Sequence, residues 1–238
     1  MKYLKLFEGY QTESEVAEIC KKYGIKNWTL NSDGLVDVDG SVYLSYNVLT
    51  KIPLKFGEVT GDFKCDSNRL TSLEGAPHTV SHFFCNNNIL DSLEFAPKSV
   101  GGNFNCDKNQ LTSLEGAPHT VDGFFSCDDN QLTSLEFAPK SVAGDFWCLN
   151  NNIRSFEGLV NIKGNFECDV NPLIEIWKII SPDTTDELVD EWDNEKMEFF
   201  NELDIIRGEE IAIERFNFFL EEIGLPTVEE VRGYKNIY

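Results

Sequence analysis

The sequence predicts an α+β solenoid, in which the chain stacks about seven rungs of 20–21 residues and builds a parallel β-sheet along one face. Three observations predict it. Six of the seven cysteines recur at steps of 20, 21, 21, 21 and 20 residues. A phenylalanine stands two residues before each of them and an asparagine three residues after. An earlier, divergent copy fits the same frame and makes the seventh rung. The cysteines are Cys65, Cys85, Cys106, Cys127, Cys148 and Cys168, and the divergent copy has Val42, Leu44, Asn47, Leu49 and Ile52.

Each repeat position has a physical role. Phe63 and Cys65 are two residues apart, so in an extended segment their side chains point to the same, inward face. Stacked rungs then align Phe, Cys and Leu in ladders that form the core. The asparagine can bond backbone groups where the strand turns away, which satisfies groups that would otherwise be buried without partners. The proline of the Glu-x-Ala-Pro segment suits a convex loop and not a central strand.

The repeat unit reads Phe-x-Cys-x-x-Asn-x-Leu-Thr-Ser-Leu-Glu-x-Ala-Pro-x-x-Val. It resembles the leucine-rich repeat, LxLxxNxL, of the short 20–21-residue class found in bacterial effector proteins. The resemblance covers roughly residues 41–177 and implies a parallel sheet on a concave face. It implies a binding scaffold and no particular chemistry. The opening MKYLKLFEGY and the Glu-x-Ala-Pro segments resemble leucine-rich-repeat proteins carried by tailed bacteriophages.

Three segments are predicted. Residues 1–40 form an N-terminal cap, with a helix over 14–23 that ends at Gly24 and a hairpin that pairs 28–30 with 35–38. Residues 41–177 form the solenoid. Residues 178–238 form an acidic, mainly helical C-terminal cap with helical periodicity over 185–203 and 214–223. Caps are expected because an open solenoid end exposes its core.

Regularly spaced cysteines raise the alternatives of disulfides or a metal site. The chain has no CxxC pair and no matching row of histidines. We therefore expect reduced thiols that pack as small buried hydrophobic groups, with no metal and no cofactor.

Residues beside the inward positions should point to the concave face and are the candidate partner-binding residues. The large apolar members are Tyr43, Phe84, Phe124, Trp147 and Leu149, and the acidic members are Asp66, Asp107, Asp128 and Asp169. Exposed aromatic groups on a polar face are common interface anchors. Two alternatives stay open: an end cap could cover the aromatic groups, and the aspartates could serve solubility alone. The acidic C-terminal segment is another possible docking surface.

Charge limits the partners. With 20 basic and 41 acidic residues the net charge is -21, which repels nucleic acid and anionic membranes and favours a basic protein. No stretch approaches the roughly 20 apolar residues of a membrane span. The opening residues lack a secretory h-region, so we expect a cytoplasmic protein, in the host cytoplasm if a phage encodes it.

The motifs of common enzymes are missing: the sequence contains no Walker loop, HExxH or GxSxG. The sequence therefore predicts a non-enzymatic protein-binding module. On the phage resemblance, it would inhibit or redirect a host protein such as a defence or transcription component. The alternatives are an acidic nucleic-acid mimic that blocks a DNA- or RNA-binding site, and a structural part of a virion.

Overall fold

The structure is a computed structural model that describes residues 12–153, 161–168, 206–207, 210–222, 227, 229 and 235–237 of the 238. Its helices and strands in chain order are α1 (Glu13–Tyr23), β1 (Trp28–Leu30), β2 (Val36–Val38), β3 (Val42–Tyr43), β4 (Phe56–Val59), β5 (Phe63–Lys64), β6 (Phe83–Phe84), β7 (Ser99–Val100), β8 (Phe104–Asn105), β9 (Thr120–Val121), β10 (Phe125–Ser126), β11 (Ser141–Val142), β12 (Phe146–Cys148), β13 (Asn161–Ile162), β14 (Phe166–Cys168), β15 (Ile206–Arg207), β16 (Glu210–Ala212), α2 (Ile213–Glu222) and β17 (Lys235–Ile237).

Seven strands form one parallel sheet, which we call sheet 1. Its order, β3-β5-β6-β8-β10-β12-β14, follows the chain. Neighbouring strands pair in register, so that Phe104 lies beside Phe125 and Phe125 beside Phe146. The seven strands are joined by six passages of chain, and the molecule is a β-solenoid of about six turns. The predicted parallel sheet is confirmed.

A second parallel sheet, sheet 2, has the order β7-β9-β11-β13 and was not predicted. Its strands β7, β9 and β11 are the residue pairs that end three of the Ala-Pro-x-x-Val segments, and its fourth strand is β13. Val100, Val121 and Val142 point inward and are buried, while the residue before each is at least partly exposed. The solenoid therefore has β-structure on two sides. An alternation of only two residues is too short to separate a strand from a loop in the sequence.

The core consists of aligned side chains from successive rungs. Phe63, Phe83, Phe104 and Phe125 are fully buried, and their neighbouring ring centroids are 5.6, 5.6 and 5.3 Å apart with nearly parallel planes. The leucines of the repeat, such as Leu111, are also fully buried. The phenylalanines therefore contact their copies in the rungs above and below, and the other inward side chains belong to the same continuous core, as a stacked solenoid requires.

The repeat asparagines join adjacent rungs. Asn109 Nδ2 donates to the carbonyls of Cys106 (2.9 Å), Cys85 (3.2 Å) and Asp107 (3.2 Å), and its Oδ1 accepts from Leu90 N (3.0 Å). The same bonds recur at the other repeat asparagines within the described rungs, which are Asn68, Asn88, Asn130 and Asn151. One side chain thus satisfies buried backbone groups of its own rung and of the preceding rung.

The cysteines are free thiols. Five of the six in the repeats are fully buried and Cys168 is half-buried. Cys106 Sγ donates to Ser126 O in the next rung at 3.3 Å. In the same way, Cys85 Sγ donates to Asn105 O and Cys127 Sγ donates to Trp147 O. Burial raises the pKa of these thiols well above the ordinary value, which keeps them protonated and unreactive. They pack as small hydrophobic groups, as predicted.

Two backbone features turn the chain at the ends of sheet 1. Glycines occupy the passage from sheet 2, and a Cβ added at Gly144 would lie 2.8 Å from the backbone of Gly123. Two residues after each of the five fully buried repeat cysteines, a residue other than glycine adopts the left-handed region, with φ of 54° or 55°. These residues are Ser67, Asn87, Lys108, Asp129 and Asn150. This conformation brings the following asparagine inward.

The helix and the hairpin predicted in the N-terminal part are both present among the described residues, and the helix begins one residue earlier than predicted. Helix α1 begins at a capping box, in which Glu15 N donates to Thr12 Oγ1 and Thr12 N donates to the Glu15 carboxylate, and it ends at Gly24 in the left-handed conformation. Strands β1 and β2 form the antiparallel hairpin, and β2 continues in parallel onto β4. Val16 and Cys20 of α1 belong to the same core cluster as the solenoid residues.

Less of the C-terminal segment is described. Strands β15 and β16 are antiparallel, β17 pairs with β16 in parallel, and α2 buries Phe216, Phe219 and Leu220. The helix predicted over 214–223 is therefore present, one residue earlier, whereas the one predicted over 185–203 lies outside the described residues. Within the described part of the chain, no helix has the length and apolar character of a membrane span.

Candidate protein-binding face

The solvent side of sheet 1, which we call the outer face, carries one central row of side chains. These residues stand one position before each cysteine, or before Leu44 in the first rung, and are aligned by the strand register. The outer row is Tyr43, Lys64, Phe84, Asn105, Ser126, Trp147 and Glu167. The sheet therefore brings Tyr43, Phe84 and Trp147 onto one surface, as the alternation predicted.

At one end of the outer row, Lys64 lies between two aromatic rings. Its Nζ is 4.9 Å from the centroid of Phe84 and 5.8 Å from that of Tyr43. Asp62 Oδ2 lies 3.7 Å from the same nitrogen. His82 stacks on Phe84 at 6.3 Å. The sequence did not predict this cluster, because its contacts join residues of adjacent rungs and follow from the strand register.

At the other end, Phe124 and Trp147 form an aromatic pair with centroids 4.9 Å apart and planes 38° apart. Both are partly buried, and Leu149 beside them is also partly buried. Phe124 is held in place by its backbone, since its N–H donates to Asn103 Oδ1 at 3.1 Å. The pair presents a tilted apolar surface to solvent.

The aspartates of the outer face have a structural role. The sequence predicted only partner binding or solubility for them. Asp107 Oδ1 accepts from Asp128 N at 2.8 Å, and Asp128 Oδ1 accepts from Leu149 N at 2.6 Å. Asp107 also accepts from Ser126 Oγ and Asn105 Nδ2, and Asp66 accepts from Ser45 Oγ. These carboxylates therefore join one rung to a neighbouring rung. Asp169 lies outside the described residues.

Ser126 departs from the expected alternation. It stands in the outer row, where the sequence predicts exposure, yet only 1% of its surface is accessible. Its hydroxyl donates to Asp107, and its neighbour in the next strand is Trp147. A small side chain between larger neighbours is covered by them, so Ser126 in the middle of the outer row is not accessible to a partner.

Asp128 carries a perturbed carboxyl group. Partial burial raises its pKa to about 6, the Leu149 N–H opposes that shift, and the charges of Asp107, Asp129 and Glu167 add to it. The folded chain therefore binds a proton more tightly than the unfolded chain, whose carboxyl titrates near 4. Stability from this group is fully present below about pH 4 and is lost as the pH rises through about 6.

We expect Asp128→Asn to raise the melting temperature at pH 7.5, because the amide oxygen still accepts from Leu149 N without the charge. The gain should shrink towards pH 4, where Asp128 is protonated in the folded state. Differential scanning calorimetry at the two pH values measures this. Asp122→Asn, at an exposed aspartate, controls for the loss of one charge. An equal gain for Asp128→Asn at both pH values would contradict the expectation.

No group of three or more His, Cys, Asp or Glu side chains placed to hold a metal ion occurs among the residues that the structure describes. His82 has a structural contact, since its Nδ1 accepts from Asn103 N at 2.8 Å. Two further aromatic groups, Phe95 and Phe137, are 50% and 53% exposed and lie in the loops before sheet 2. They lie outside the outer face and provide matched controls for it.

No protein-family model, no curated protein and no solved structure matches this chain.

Proposed function

We propose that this protein is a non-enzymatic binding module whose outer face takes a protein partner with a basic and partly apolar surface. The observation that carries the proposal is the Phe124–Trp147 pair, two large rings in contact on the outer face, where Glu167 is the neighbour of Trp147 in the next strand. Aromatic groups in such a setting are common interface anchors. The net charge of -21 favours a basic partner and speeds its approach.

The size of the outer face supports a protein ligand. Seven strands spaced by about 4.8 Å give a face roughly 30 Å long. A face of that length can provide the ~800 Å² that each partner contributes to a standard protein interface. The buried core beneath it is continuous, so the anchors stand on a rigid support.

Two finer proposals come from the sequence resemblance. The first is that the solenoid is of the leucine-rich-repeat type. The inward Phe and Cys positions support it, and so does the Asn ladder, the row of repeat asparagines from Asn68 to Asn151 that bond adjacent rungs. The partner is a host protein, such as a defence or transcription component, that a phage-encoded chain inhibits or redirects in the host cytoplasm. The second proposal rests on the opening segment and the Glu-x-Ala-Pro repeats.

Replacing both anchor rings tests the proposal. The wild-type chain and the double variant Phe124→Ala/Trp147→Ala are immobilised and exposed to bacterial proteins. We expect the variant to capture at least tenfold less of each protein that the wild-type chain binds, since interface anchors each contribute about 2 kcal/mol or more. Quantitative mass spectrometry of the eluates measures it. The control variant Phe95→Ala/Phe137→Ala removes two exposed rings elsewhere and should capture as wild type does. Equal capture by the two double variants would show that the outer face is not the binding surface.

The net charge favours a second candidate, an acidic mimic of nucleic acid. A mimic binds through many screened charges and loses affinity steeply as salt rises, whereas an interface anchored by aromatic groups changes less. Capture repeated between 50 and 500 mM NaCl separates the two. A structural virion component would instead co-purify with particles. The carboxylates of Asp107 and Asp128 are engaged with neighbouring rungs, which favours the protein-binding module.

A further inference from the structure

The outer face contains one cation site that the chain fills with its own lysine. The Lys64 ammonium lies over the rings of Phe84 and Tyr43, from the strands on either side, and Asp62 lies beside it. The Lys64 side chain remains 37% exposed, so burial does not force it there. An ammonium within about 6 Å of ring centroids is attracted by their negative faces. This sheet therefore holds a cation between rings of different rungs.

The Trp147 end of the same face repeats this chemistry. Two rings, Phe124 and Trp147, are in contact, and acidic residues lie on the same rungs and on the next strand. Asp145 stands two residues before Trp147 and therefore points to the same side of the strand, and Glu167 is its neighbour in the next strand. Every charged residue described on this end of the outer face is acidic: Asp107, Asp128, Asp145 and Glu167.

The carboxylates at this end are close enough to repel one another. Burial raises the pKa of Asp128 to about 6, and the charges of Asp107, Asp129 and Glu167 contribute to that rise. A positive group brought to this end would be attracted by Asp107, Asp128 and Glu167 and would offset the repulsion of Asp128 by the other two. The aromatic pair thus lies in a negative field that is complementary to a cation.

We infer that the Phe124–Trp147 pair is the binding site for an arginine side chain of the partner protein. A planar guanidinium stacks on aromatic faces and donates to carboxylates in the same plane, whereas an ammonium is a compact and strongly hydrated charge. Glu167 is exposed and adjacent to Trp147, so it can accept these bonds. The inference rests on the proposed function, for which it names the anchor chemistry.

Three short peptides test the inference: acetyl-Gly-Gly-X-Gly-Gly-amide, with X as arginine, its neutral isostere citrulline, or leucine. Their binding to the full chain is followed in 150 mM NaCl from the NMR signals of the Trp147 indole N–H and the Glu167 amide. We expect the arginine peptide to shift both signals and the citrulline peptide to shift neither. Trp147→Leu should weaken arginine binding about fivefold, followed at Glu167, and Trp147→Phe should change it by less than about twofold. Tyr43→Leu, at the other end of the row, is the matched control and should leave it unchanged.

Two outcomes would overturn the inference. Arginine binding that is as tight to Trp147→Leu as to the wild-type chain would show attraction by bulk charge alone. A leucine peptide that binds more tightly than the arginine peptide would show an apolar anchor. In either case the capture experiment with Phe124→Ala/Trp147→Ala still decides the proposed function, so the two failures are distinguishable.

Discussion

Asn109→Asp should lower the free energy of unfolding by about 3–5 kcal/mol, because it places a carboxylate against three carbonyl oxygens inside the protein. The wild-type amide donates to Cys85, Cys106 and Asp107 and accepts from Leu90 N. The aspartate keeps only the acceptor. Its protonated form regains one donor, so the loss should be smaller at pH 4 than at pH 7.5. Urea denaturation at the two pH values measures both effects.

Asn47→Asp is the matched control for this substitution. Asn47 occupies the same repeat position in the first rung, but it is exposed and its Nδ2 donates to Ser45 O. Surface substitutions of this kind usually change stability by about 0.5 kcal/mol or less. If the two substitutions destabilise the chain equally, the Asn ladder does not hold the rungs together.

Phe104→Ala should cost about 3–5 kcal/mol of stability, since it removes a fully buried ring and leaves a cavity between two others. Its ring centroid lies 5.6 Å from that of Phe83 and 5.3 Å from that of Phe125, so stacking contacts are lost on both sides. Phe104→Leu refills part of the space and should recover part of the loss. Urea denaturation gives the free energies.

Phe95→Ala provides the control for Phe104→Ala. The Phe95 ring is half exposed in the loop before sheet 2, and we expect its removal to cost less than about 1 kcal/mol. A similar loss for both substitutions would mean that the stacked phenylalanines do not dominate the core, contrary to the solenoid described above.

Sheet 1 was predictable and sheet 2 was not, for a physical reason. The Phe-x-Cys-x-x-Asn spacing combines an inward pair at i and i+2 with a capping asparagine, and its period repeats often enough to fix the register. Sheet 2 depends on pairs such as Thr120–Val121, whose alternation covers a single step. Its hydrogen bonds form between rungs and become visible only when the rungs are stacked.

The candidate site shows the same division. Alternation along the strands placed Phe84 and Trp147 on one face, and the strand register aligns both in the outer row. Alternation could not show that Asp128 accepts from Leu149 N. That bond joins residues 21 positions apart, and their contact follows from the strand register. The burial of Ser126 depends on the size of its cross-strand neighbours, which a pattern of polar and apolar residues does not record.

The asparagine side chains reach no farther than the adjacent rung, and this has a consequence for how such a chain can change in length. Each repeat is bonded only to its two neighbours, so its contribution to stability is independent of how many others exist. Excising or duplicating one complete repeat would reconnect equivalent donors and acceptors without any shift in pairing. Evolution could therefore shorten or extend the outer face in steps of one strand spacing while the interior stays the same.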